Sequence, residues 1–190
     1  MAGKAPGAKA PVSLPAPLAL AVRGVGALST AAGVASALMI LAAVAVTCQM
    51  IWVRTVMNAS TVWQTEAVIF LVIGATLVGL PYVQLLRGHV NVDLVPNLLP
   101  PVLRRGMAML TLLMTMAVIG VAAFYGFEIF ELARSRGWRS DTVWGPPLWI
   151  PYLAMPLGFG LFLLQLAADL VETVFGREDV ALHGDFEEDY

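Results

Sequence analysis

The chain has 190 residues, 59% of them hydrophobic and 13% charged, with a formal net charge of −2 and a mean hydropathy of +0.80. Soluble domains hold about 45–50% apolar and about 25% charged residues, so a water-soluble fold is excluded and the surplus apolar surface has to face lipid. A single cysteine, Cys48, rules out an intrachain disulfide.

Charges delimit the spans. Runs free of Asp, Glu, Lys and Arg separate Arg23 from Arg54, Glu66 from Arg87, Arg105 from Glu128, and Asp141 from Asp169. Each has about 20 residues or more, the length of helix that crosses a ~30 Å hydrocarbon core. The runs are continuously apolar, which excludes the alternating strands of a membrane barrel. The expected fold is an all-α integral membrane protein with four transmembrane helices. Residues 1–21, rich in Pro, Ala and Lys without a compact apolar stretch, read as a disordered tail and not as a signal peptide. Residues 22–175 form the membrane domain and residues 176–190 an acidic tail. Without residues 178–190 the count is 11 basic against 7 acidic side chains, so the negative charge belongs to that tail.

The first span, residues 22–53, carries two stripes of small residues: Ala27, Ala31 and Ala35, and beside them Ser29, Gly33 and Ala37. Small residues let helix backbones approach closely in lipid, where packing drives association. The second span, residues 62–86, repeats the device at Ala75 and Gly79. Pro81 is expected to bend its inner end. Trp63 suits the membrane interface. Glu66, one turn in, reads either as a proton or cation ligand or as a carboxylate favoured by the helix N-terminus and paired with a neighbour.

Between the second and third spans lies "LLRGHVNVDLVPNLLPPVLRRG", residues 85–106. His89, Asn91 and Asp93 alternate like the first ligands of a calcium loop. Leu94 then stands where the sharp turn needs glycine, and Pro100 where a bidentate glutamate is required, so calcium fails. Asp93 instead suits the cap of a short amphipathic surface helix. Pro96 is tolerated in its first turn, and Leu94, Val95, Leu98 and Leu99 give it an apolar side. Arg104 and Arg105 mark re-entry at the level of lipid headgroups.

The third span covers residues 105–134, with Glu128, Glu131 and Arg134 at helical spacing past its apolar core. The connection "SRGWRSDTVWGPPLWIPY" mixes interfacial Trp138, Trp144 and Trp149 with turn formers. The fourth span covers residues 147–175, and Pro151 and Pro156 are expected to kink or break its outer end. Gly158 and Gly160 could admit a neighbouring helix, and Asp169 and Glu172 stand at the inner end.

Catalytic and cofactor chemistry finds no support. His89 lies in a loop and His183 in the tail, so bis-histidine haem is excluded. No zinc-type cluster, nucleophile–base pair or phosphate-binding loop is present, and no metal or other cofactor is expected on this chain. For orientation, the set Lys4, Lys9, Arg23, Arg87, Arg104, Arg105 and Arg177 outnumbers Arg54, Arg134, Arg136 and Arg139, seven to four. Both termini are therefore expected in the cytoplasm.

A glutamate early in the second of four spans, the string "RGHVNVDLVPNLLP", Trp138 and Ser140 after the third span, and "IPYLAMPLG" opening the fourth belong to one pattern. Over residues 23–175 the chain resembles the small, DctQ-like, four-span membrane subunit of tripartite ATP-independent periplasmic (TRAP) transporters. That resemblance implies a sodium-coupled importer of organic acids in the inner (cytoplasmic) membrane of bacteria. In it a periplasmic binding protein delivers the acid and a large multi-spanning permease subunit moves it. The small subunit packs against the permease scaffold as a non-catalytic accessory, with sodium handled by the partner. Carried over residue by residue, the pattern assigns subunit-interface or structural roles to Glu66, Gly88, His89, Val92, Asp93, Trp138, Ser140, Pro151, Pro156 and Gly158. The residues alone leave a second reading open: a stand-alone homo-oligomeric transporter or channel using Glu66 as its coupling carboxylate.

Overall fold

The computed structural model describes residues 16–86 and 101–175, with the backbone alone at residues 101, 102, 104 and 105. The predicted surface helix, Gly88, His89, Val92, Asp93 and the side chains of Arg104 and Arg105 lie outside the described residues, as do residues 1–15 and 176–190.

Five helices follow in order: α1 (Ala16–Val56), α2 (Val62–Leu85), α3 (Pro101–Ser135), α4 (Trp149–Tyr152) and α5 (Ala154–Phe175). The only β-type pairing among the described residues is an isolated bridge between Arg139 and Pro147. Four segments are long and apolar enough to cross a membrane: Ala16–Val56, Val62–Leu85, Gly106–Ser135 and Trp149–Phe175. The fold is therefore the predicted four-span, all-α architecture.

Within the described residues α1 is helical from Ala16, ahead of the predicted residue 22, and α3 from Pro101, ahead of the predicted residue 105. At about 1.5 Å per residue α1 is about 60 Å long and α3 about 52 Å, against a ~30 Å hydrocarbon core. Both must tilt or project. The predicted break in the fourth span falls at Leu153, between α4 and α5. Leu153 keeps helical dihedrals (φ −58, ψ −28). It donates to the Trp149 carbonyl at 3.0 Å and accepts from Leu157 at 3.3 Å. The two prolines remove N–H groups without breaking the axis.

α5 is the hub. It packs on α2 and α3 and touches α1 and α4, whereas among the described helices α3 meets only α4 and α5. Buried positions follow this layout: Gly158, Phe162, Gln165, Leu166 and Ala168 on α5, and Gln64, Glu66, Gly74, Ala75 and Pro81 on α2.

The α1–α2 seam is built from small residues. Ser36 Oγ donates to the Ala75 carbonyl at 2.7 Å. A Cβ on Gly79 would stand 2.8 Å from Ser36 Oγ, and one on Gly33 would stand 2.6 Å from Cδ1 of Tyr82. The predicted Ala75/Gly79 pair thus lies in the seam. On α1 the expectation holds in part: Ala27, Ala31 and Ala37 are exposed, whereas Ser29 and Gly33 of the second stripe join Ala32, Ser36 and Ala43 on the packed line. Ser36 offers a hydroxyl to the backbone of α2, and Gly33 makes room for the Tyr82 ring.

The α2–α5 seam joins a proline to a glycine. Pro81 has no N–H, so the Leu77 carbonyl lacks its intrahelical partner. Gly158 lies against that carbonyl, and a Cβ added there would be 2.5 Å from the Leu77 oxygen. Only glycine permits this approach.

Candidate functional site

Of the site residues predicted on the described segments, Glu66, Trp138, Ser140 and Pro151 gather where α2 begins and α3 ends. α3 ends in a Schellman turn: Trp138 N–H donates to Ala133 O at 2.9 Å and Gly137 N–H to Arg134 O at 3.3 Å. Gly137 takes φ 60, a left-handed conformation that suits a residue without Cβ. The chain then forms a clasped hairpin over residues 138–148. Its bonds run from Ser140 N–H to Pro146 O (3.0 Å) and from Leu148 N–H to Trp138 O (2.9 Å). Trp138 and Ser140 thus define the hairpin through their backbones.

Glu66 fastens this hairpin to α2. The Thr142 hydroxyl donates to Glu66 Oε2 at 2.6 Å, and the carboxylate residue is 8% exposed. A hydroxyl bound to a carboxylate makes a short, charge-assisted bond. Trp63 and Trp144 meet edge-on beside it, with ring centroids 6.3 Å apart and planes at 62°. Of the two sequence readings of Glu66, the paired carboxylate near a helix N-terminus describes this geometry, with a threonine as the partner. Gln64, 2% exposed, buries an Oε1 that has no hydrogen-bond partner.

Pro151 lines a cavity of about 380 Å³ between Phe70 of α2 and the hairpin residues Trp144 and Pro147. Pro156 and Gly158 belong to the helix packing instead, Gly158 against Leu77.

A second polar cluster, not assembled by the sequence reading, joins three helices near the other end. Gln84 Nε2 donates to Asp169 Oδ2 at 2.7 Å and Gln165 Nε2 to Asp169 Oδ1 at 2.9 Å. Ser29 Oγ in turn donates to Gln165 Oε1 at 2.7 Å. Both oxygens of Asp169 accept, one from each glutamine, and Ser29 is tied to the cluster through Gln165. The Gln165–Asp169 spacing of four is a visible helical neighbour pair. Gln84 and Ser29 carry no signal that names their partner.

Chemically the two clusters are clamps. Each carboxylate accepts from a neutral donor on another helix or loop, Glu66 from Thr142 and Asp169 from Gln84. Among the described residues no group of three or more His, Cys, Asp or Glu could hold a metal ion.

Comparison with curated proteins and with solved structures returns no match. A family model does match, over residues 43–176, which takes in the last part of α1, the three later spans and both clamps apart from Ser29. A four-span helical chain matched over most of its length by the model described as "Tripartite ATP-independent periplasmic transporters, DctQ component" belongs to that family.

Proposed function

We propose that this chain is the non-catalytic scaffold subunit of a sodium-coupled importer of organic acids. Its partners are a large multi-spanning permease subunit, which carries sodium and substrate, and a periplasmic binding protein, which delivers the acid. The assembly stands in the inner membrane with both termini of this chain in the cytoplasm, as the seven-to-four distribution of basic residues supports.

One observation carries the scaffold reading. Six polar side chains inside the spans make contacts between elements: Ser29, Ser36, Gln84, Gln165, Asp169 and Glu66 all bond across helices or to the hairpin. Large apolar side chains face outward, including Leu41 at 66% exposure and Val118 at 68%. Ionisable groups within spans usually mark ion paths, but a carboxylate held by fixed neutral donors serves packing. A brace needs that arrangement, and a substrate path needs the reverse.

Reconstitution tests it. Liposomes holding the large subunit, the binding protein and a sodium gradient should import substrate only when this chain is included. Full transport without it sinks the scaffold reading. The alternative, a homo-oligomeric channel using Glu66, requires flux from this chain alone that Glu66→Gln abolishes. The bond to Thr142 and the position of Glu66 at the rim weigh against it.

A further inference from the structure

A cavity of about 550 Å³ lies between the last turns of α3, the hairpin and α4, lined by Phe130, Arg134, Gly137, Arg139, Pro147 and Trp149. Its volume falls within the range of small-molecule pockets. Neither arginine has a carboxylate partner among the described residues. Glu128 and Glu131, exposed on the same end of α3, are not among the lining residues. The cavity lining therefore combines two arginines without a carboxylate partner with the apolar side chains of Phe130, Pro147 and Trp149.

Its depth follows from the spans. Gly106–Ser135 ends and Trp149–Phe175 begins at this level, so the cavity stands where hydrocarbon gives way to headgroups. The apolar wall continues toward the membrane interior through Phe127 and Ile150, which are 56% and 53% exposed. Cationic groups outside and exposed apolar side chains inside match the two halves of a phospholipid. A docked protein loop has no use for the inner half.

We propose that this cavity binds the headgroup of an anionic phospholipid. Arg134 and Arg139 hold the phosphodiester, for which the guanidinium fork is suited. Phe130 and Trp149 line the first carbons of the acyl chains.

The test uses the full chain purified with its permease partner, stripped of lipid and titrated in native mass spectrometry. Phosphatidylglycerol should bind, and the double substitution Arg134→Gln/Arg139→Gln should weaken it at least tenfold. Both arginines are exposed, so the fold is retained, and a melting curve checks this. Arg136→Gln, at an exposed arginine outside the cavity, should leave binding unchanged. Equal phosphatidylglycerol binding by wild type and double variant overturns the proposal, and so does an equal loss in Arg136→Gln, which would mean diffuse surface charge. Inorganic phosphate should not compete at millimolar concentration. If phosphate alone binds in an arginine-dependent way and the lipid does not, the ligand is a soluble anion and the lipid assignment is wrong. Unchanged lipid binding with lost uptake from the binding protein would give this face to a protein partner, again against the proposal.

Discussion

Replacing Gly158 by alanine tests the α2–α5 seam directly. The new Cβ would lie 2.5 Å from the Leu77 oxygen and 2.7 Å from its carbonyl carbon. A comfortable C···O contact is about 3.3 Å, so the helices would have to part by about 0.8 Å. Both obstructing atoms are backbone and cannot swing aside as a side chain would. Overpacking of this kind costs about 1–3 kcal/mol. Such a loss corresponds to a fall in melting temperature of about 2–12 °C for a chain of this size. The measurement is thermal unfolding of the purified chain in detergent, with Gly160→Ala beside it. Nothing lies within 4 Å of a Cβ at Gly160, so that variant should melt at or slightly above the wild-type temperature. If the two variants melt together, the close approach to Leu77 is not what the seam depends on, and the pairing of Pro81 with Gly158 is wrong.

Thr142→Val keeps the side-chain shape and removes the hydroxyl that serves Glu66. The buried carboxylate then lacks this donor, and stability should fall by about 1–3 kcal/mol, whereas Thr142→Ser should melt near wild type. Asp169→Asn turns one of two accepting oxygens into a donor facing a glutamine amide. A loss of about 1–2 kcal/mol is expected, read as a lowered denaturant midpoint, and an unchanged midpoint would remove Asp169 from its place as the acceptor of the cluster.

The spans were legible because a bilayer of fixed thickness demands uncharged runs of fixed length, and Arg23, Arg54, Glu66, Arg105, Glu128 and Asp141 mark their edges. Which face of α1 packs was legible only in part. Alanine recurs at every helical spacing there, and the choice rests on the hydroxyl of Ser36 meeting a backbone carbonyl of α2. Pro81 and Gly158 could each be read alone as a bend and as a point of contact. Their union depends on which helices are neighbours, and periodicity carries no such information. Glu66 stood out as a rare charge in an apolar run, but its partner sits 76 positions away in sequence, in a stretch that reads only as turn formers. For Asp169, the Gln165 contact follows from helical spacing, and the Gln84 contact required knowing that α2 and α5 share a seam.

The hub position of α5 bears on how the chain is made. During synthesis α1 and α2 can zip together as soon as both are inserted. α3 then enters the bilayer with nothing in the preceding spans to hold it, since its contacts lie on α4 and α5. Until the fourth span arrives, α3 is an apolar helix adrift in lipid, open to capture by other nascent proteins or by quality-control proteases. Assembly of the first three spans is completed by the fourth, which closes two seams in one step. A ribosome stalled just after Ser135 would leave a three-span fragment that is inserted and still unassembled.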